Sequence, residues 1–428
     1  IDVSHLLRRA GFGASPDHIL AAAKDGAAAT ANKLIAYDQI PEQVPPPPAS
    51  ITDPKSRQSQ DLGAWWLGYM LTTQRPLQEK LTLFWHGHFA TALSKVASPA
   101  HMYAQNQTFR ANALGRFDDL LTAVYKDPAM LIWLDGQRNI STAPNENWGR
   151  EVMELFTVGR GNYTEDDVHA CARAFTGWRI DANGQSVFVP RLHDNGSKTL
   201  LGQTGNWTSD DAVRILAAHP ATGPFLATRL WRFFASETPP AAAIDALAQT
   251  YNDSGHSIRA MITQLFTMPA FYSASVHMNH IKSPVEFTVT AIRELGLQNV
   301  DVSTFPRTLA LLGQELFNPP NVGGWPGGAN WISAATMLGR FNFASRLTGD
   351  IGSPKPVVDG DAILQASGAD TAEQLMFFVT NTLGLRLSAA TSRAMTTYLG
   401  RGGVDRIDAG RVQGLVHLAL ASPEYQMS

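Results

Sequence analysis

Hydrophobic and polar positions follow two rhythms along this chain, and the helical one dominates. Leu77, Leu81, Phe84 and His88 recur every three or four positions, the spacing of one helix face. Val152, Leu155 and Phe156 line one side of a run that opens at Asn145, and Val168, Cys171, Ala172 and Phe175 line the run after it. Helical periodicity also covers 17–24, 28–37, 105–125, 209–234, 241–251, 257–267 and 362–427, and it resumes at Leu62. The period shortens between Ile180 and Val189, where Asn183-Gly184 supplies a hairpin turn. Asn195-Gly196 marks a second turn before Lys198. The pattern predicts a mainly α fold: one large irregular helical domain over 1–428, with a small β-hairpin excursion near 178–202. A Pro-rich linker at 41–60 interrupts it, with Pro45 to Pro48 extended as polyproline II.

The stretch from Asn145 to Leu201 holds most of the candidate chemistry. Asn147, Glu151 and Glu154 share one helical stripe, in steps of four and three. Two carboxylates so close repel each other when both are ionised, so a metal ion, a shared proton or a basic side chain must compensate them. Arg150 and Arg173 are the candidate cations, and a purely structural Arg-Glu network is the competing reading. Thr164 with Asp167 forms a capping-box start for the second helix. His193 and Asp194 fall on a loop, where the aspartate is placed to orient the imidazole as an acid-base pair.

Other stretches add candidates. His86 and His88 stand about 200° apart on an ideal helix, and Gly87 between them offers an irregular backbone that lets both converge on a metal. The alternative is a pair of hydrogen-bonded interior histidines. Arg8 and Arg9 either meet Glu151 or Glu154 or lie on the surface, and Lys282 and Glu286 form a surface pair or reach inward. Trp325 and Trp331 flank a rigid Gly/Pro loop and wall a pocket or fill the core.

These residues support two function classes. One is a metal-dependent enzyme, hydrolytic or oxidative, with His86, His88, Glu151, Glu154 and His193 as ligands and His193, Asp194 and Glu151 as catalytic groups. Imidazole and carboxylate donors suit zinc, iron or manganese. The Glu-x-x-His pairs usual in helical di-metal sites are absent, as are Gly-x-Ser-x-Gly, His-Glu-x-x-His and dinucleotide fingerprints. The other class is a non-catalytic binding or assembly protein whose polar motifs fix the fold.

Composition narrows the field. Net charge is −3 and no basic tract occurs, which argues against nucleic-acid binding. One cysteine, Cys171, rules out an intrachain disulfide framework, and its apolar surroundings suit a buried thiol. No apolar run approaches the roughly 20 residues that span a bilayer.

Asn145-Glu146-Asn147, Glu151, Glu154 to Gly159, Ala172 to Trp178 and His193-Asp194 resemble the DUF1800 family. So do His5 to Gly13, Phe84 to Phe89, Ile281 to Phe287 and Asn318 to Pro326. The resemblance covers nearly the whole chain in order. It implies a bacterial protein without an assigned general activity. It also implies export to the periplasm or beyond, with which a first residue Ile1 rather than Met agrees, and a DUF1501-family protein as partner.

Overall fold

The computed structural model describes residues 2–52, 59–349, 356–400 and 407–428. Among them are 22 α-helices and two small antiparallel hairpins, so the fold is mainly α, as the pattern predicts. No described helix is long and apolar enough to cross a membrane.

Eight helices position the sites. Helix α1 spans Asp2–Arg9 and α2 spans Pro16–Asp25, which Ser15 caps. Helix α3, Pro76–His88, is buried on nearly every side. The single apolar stripe read from the sequence understates it. Leu77, Leu81 and Phe84 face one large core and Leu83 faces the other, so α3 lies between the two. A polar residue on such a helix needs an internal partner. Glu79 finds Arg110 at 2.6 and 2.7 Å and the Trp66 indole at 2.7 Å.

Helix α4 is Glu146–Glu151, followed at once by a π-helical turn from Val152 to Phe156. Helix α5, Glu165–Ala174, starts on the expected Thr164–Asp167 capping box. Strands β1 (Trp178–Ile180) and β2 (Ser186–Phe188) pair in the register Trp178 to Phe188 around the predicted turn. Strands β3 (Lys198–Leu200) and β4 (Gln203–Gly205) form the second hairpin. Its turn is Leu201-Gly202, where both φ values are positive, and the expected turn at Asn195-Gly196 precedes β3, with Gly196 N donating to Asp194 Oδ1.

Helix α6, Thr222–Phe234, leads towards α7, Pro284–Glu294, which opens on a Ser283–Glu286 capping box. Helix α8, Ala372–Thr382, belongs to the C-terminal bundle. The chain end returns to the middle of the molecule, where Lys282 N donates to Gln426 O and Ser428 N to His280 O, both at 2.8 Å. The helix expected over 105–125 is two, Pro99–Ala111 and Phe117–Tyr125. The Pro-rich stretch lacks regular structure up to Pro48 but is tied down: Trp65 donates to Pro45 O, and Glu42 accepts from Thr73 and Gln74. Residues 53–58 of that linker lie outside the described residues.

Candidate functional site

Of the residues singled out between 145 and 201, Asn145, Glu154, His193 and Asp194 each find a partner of their own, whereas Glu151 makes no hydrogen bond or ion pair among the described residues. Asn145 caps α4 through Asn147 N. The π turn then adds a residue per turn, so Glu154 leaves the stripe that an unbroken α-helix would give it. It accepts from Tyr163 Oη at 2.8 Å and Arg160 Nε at 2.5 Å, which hold its carboxyl below the usual range. The compensating cation is thus a guanidinium. Glu151 is half-buried, and burial with Glu154 nearby raises its pKa. Asp194 faces Arg173 rather than His193, at 2.6 and 3.1 Å. His193 places Nδ1 against Thr176 O at 3.0 Å, and Lys198 Nζ clamps the loop at Asp194 O.

His86 and His88 point apart, because α3 continues through Gly87 without a break. His86 Nε2 accepts from Phe317 N at 3.0 Å. Phe317 has φ of 63°, a strained value for a side chain of this size, so His86 steadies the entry to the Gly/Pro loop. His88 Nε2 donates to Phe156 O at 3.0 Å, at the end of the π turn.

These donors do not fit a metal ion. Zinc, iron or manganese needs several lone pairs directed at one point. His86 Nε2 is spent on Phe317 N and the Glu154 carboxylate on Arg160 and Tyr163, while the lone pairs of His88 Nδ1 and His193 Nε2 are buried without hydrogen-bond partners. The described residues hold no group of three or more His, Cys, Asp or Glu side chains able to ligate one ion. No step is therefore built on a metal at His86, His88, Glu151, Glu154 or His193.

A different set of motif residues does converge. Arg8 and Arg9 reach neither Glu151 nor Glu154. Arg8 Nε meets Glu294 at 2.5 Å. Arg9, fully buried, donates to Phe233 O, Phe234 O and Ala235 O at the C-terminus of α6 and to Ser428 Oγ. Cations favour that end of a helix. Beside Arg9, Lys80 Nζ meets Glu286 Oε1 at 2.5 Å with both side chains buried. Glu286 Oε2 takes His280 Nε2 at 3.1 Å and Ser283 N at 2.7 Å. Burial alone would raise the Glu286 carboxyl, but Lys80, His280 and Arg9 together hold it well below the usual range.

A cavity of about 230 Å³ opens next to this cluster, lined by His88, Arg229, His280, Glu286, Trp325 and Trp331 among others. The Gly/Pro loop forms one wall of it. Gly324 has φ of 78°, and a Cβ there would overlap the Gly87 carbonyl of α3. Only glycine lets the loop sit this close. Gly324→Ala is expected to cost at least about 1–2 kcal/mol from the left-handed backbone alone. An unchanged denaturation midpoint would refute the contact.

The family profile matches residues 5–427. The chain belongs to the DUF1800 family, described as a protein of unknown function. No curated protein and no solved structure matches it. In this DUF1800 chain the motifs at 84–89, at 281–287 and at 318–326 line one cavity, and Arg9 of the N-terminal motif lies beside it against the end of α6. The motifs at 145–201 touch that region where His88 meets Phe156.

Two features of the cavity carry chemistry. Because Glu286 is ionised, His280 Nε2 must hold the proton, which leaves Nδ1 as a lone pair; it has no hydrogen-bond partner. Burial keeps the ring neutral, with its pKa lowered to about 4. The second feature is Arg229. It has no acidic partner among the described residues, and burial and then Arg232 lower its pKa. Neither residue was singled out for chemistry from the sequence. One signal was available for Arg229: α6 carries two arginines three apart and no acidic residue, an unfavourable like-charge pair.

Proposed function

We propose that this chain binds a small organic anion in the cavity under Trp325, with Arg229 as its principal counter-charge. Arg229 carries the reading: a guanidinium beside that of Arg232 and next to an open cavity, with no ion pair to a carboxylate among the described residues, although Glu237 and Glu286 line the same cavity. Charges taken partly out of water, as Arg229 is, are ordinarily paired. A planar guanidinium matches carboxylate and phosphate oxygens two at a time. Trp325 and Trp331 add apolar walls for the ligand body. The volume lies below the roughly 300–1,000 Å³ of drug-sized sites, which favours a compact metabolite. This reading keeps the binding half of the alternative drawn from the sequence and makes the ligand a small molecule.

Calorimetry with a panel of short mono- and dicarboxylates and inorganic phosphate tests it. Hydrogen bonds to charged groups contribute about 1.5–3 kcal/mol, so Arg229→Gln is expected to weaken the best anion roughly 10- to 150-fold. Failure of every anion to bind at millimolar concentration, or equal binding by the variant, would sink the proposal.

A further inference from the structure

A second and larger cavity lies elsewhere, shares no lining residue with the first, and is independent of the function proposed above. It is a groove of about 1070 Å³ between α1, α2 and α8. Its two ends differ. Arg8, Arg386, His5 and His277 gather at one end. Arg8 presses against Gly384, where a Cβ would overlap its guanidinium, and Arg386 follows two residues later. His5 stacks on His277 with ring centroids 4.2 Å apart.

This end is short of hydrogen-bond partners. The Arg8 side chain is 9% exposed and spends Nε on Glu294, while its Nη2 is buried with no partner. His5 Nε2, the lone-pair nitrogen of a neutral ring, is likewise buried without a partner. Arg386 is exposed and has no ion pair among the described residues. Asp2 answers His277 at 3.6 Å. Glu373 stands at the far end, in the first turn of α8, and disfavours a second negative charge there.

Between the ends the lining is apolar. Ile19 and Leu20 of α2 face the same groove as Phe377 and Phe378 of α8. Leu20 is 64% exposed and Phe377 71%, large side chains for a surface to leave in water. A ligand with one anionic head and a hydrocarbon chain would pair with Arg386 beside the Arg8 guanidinium and cover both apolar walls.

We propose that the groove binds a long-chain carboxylate, its head at Arg8 and Arg386 and its chain between Leu20 and Phe377. The acyl chain of an anionic lipid shares this chemistry, but a single groove of this volume between three helices suits one free chain. The test is calorimetric titration of the full chain with dodecanoate below its micellar concentration, with dodecanol as the uncharged control. A parallel arm measures sedimentation with phosphatidylglycerol vesicles. Saturable dodecanoate binding is expected, with dodecanol at least about tenfold weaker. Arg386→Gln, at an exposed position that should fold normally, is expected to weaken dodecanoate by a similar factor, and Phe377→Asp to weaken both probes. Arg229→Gln should leave dodecanoate binding unchanged, which separates this site from the smaller cavity. Absence of saturation, equal affinity for dodecanol, wild-type binding by Arg386→Gln, or binding to vesicles alone would each overturn the proposal.

Discussion

Glu286→Gln is expected to cost about 3–5 kcal/mol of stability, the range for removing one partner of a buried ion pair. Glutamine is nearly the same size, so packing is preserved and the charge is what changes. Lys80 would keep its ammonium with no anion beside it, between the Phe12 and Phe233 rings at 5.0 and 5.6 Å. Arg9 would lose the nearest negative charge, and His280 the acceptor that sets its tautomer. The measurement is the guanidinium denaturation midpoint. Lys80→Met added to Glu286→Gln should recover part of the loss, because the uncompensated charge is then gone. A loss below about 1 kcal/mol, or a double variant less stable than the single one by the full cost of Lys80→Met, would refute the account. Glu165→Gln, which breaks an exposed contact to Arg150, should barely move the midpoint, since water screens such pairs.

Acidification from pH 7 to pH 5 is expected to destabilise the fold strongly, through buried histidines rather than through loss of paired carboxylates. Burial holds His5, His86 and His280 neutral, with pKa values lowered to about 2, about 3 and about 4. His88 is lowered well below its ordinary value by burial and by Arg229. In the unfolded chain each takes up a proton near pH 6.5. Between that value and the folded values the unfolded state binds more protons, so stability falls as pH falls. At pH 5 each histidine costs about 2 kcal/mol, from about 1.4 kcal/mol per unit over about 1.5 units. Four of them cost on the order of 8 kcal/mol. Asp127 works in the opposite direction. Burial pushes it up to about 7, so acidification relieves a strain that grows with pH and returns about 2 kcal/mol. Glu286, held ionised, contributes its own loss only as pH falls below about 4.5. The net fall, on the order of 6 kcal/mol, compares with about 5–15 kcal/mol for whole domains. Melting curves at pH 7, 6 and 5 read it directly. A melting temperature at pH 5 within a few degrees of that at pH 7 would contradict the prediction.

Local chemistry was readable from the chain alone. The Thr164–Asp167 cap, the Asn183-Gly184 turn and the Leu77–Leu81–Phe84 periodicity involve groups within a few residues of one another. Their geometry follows from backbone sterics and helix pitch, so the mainly α fold and the hairpin near 178–202 were legible. Motif resemblance also marked the segments that later proved to meet. It did not say which of them meet, and the weight placed on 145–201 came from the density of carboxylates there.

Partner choice lay beyond that reach. Lys80 and Glu286 are 206 positions apart, Arg8 and Glu294 are 286 apart, and Arg9 reaches carbonyls more than 220 positions away. A charge attracts every opposite charge, and spacing along a helix tells which face a residue occupies but not what packs against it. The π turn is invisible for a related reason: one extra residue in a turn leaves the hydrophobic pattern intact while swinging Glu154 towards Arg160 and Tyr163. The composition and order of residues therefore determined the helices, their caps and the hairpin, because those rest on short-range contacts. Burial and long-range packing alone decided which charges are compensated within the chain and which, like Arg229 and Arg386, are left facing a cavity.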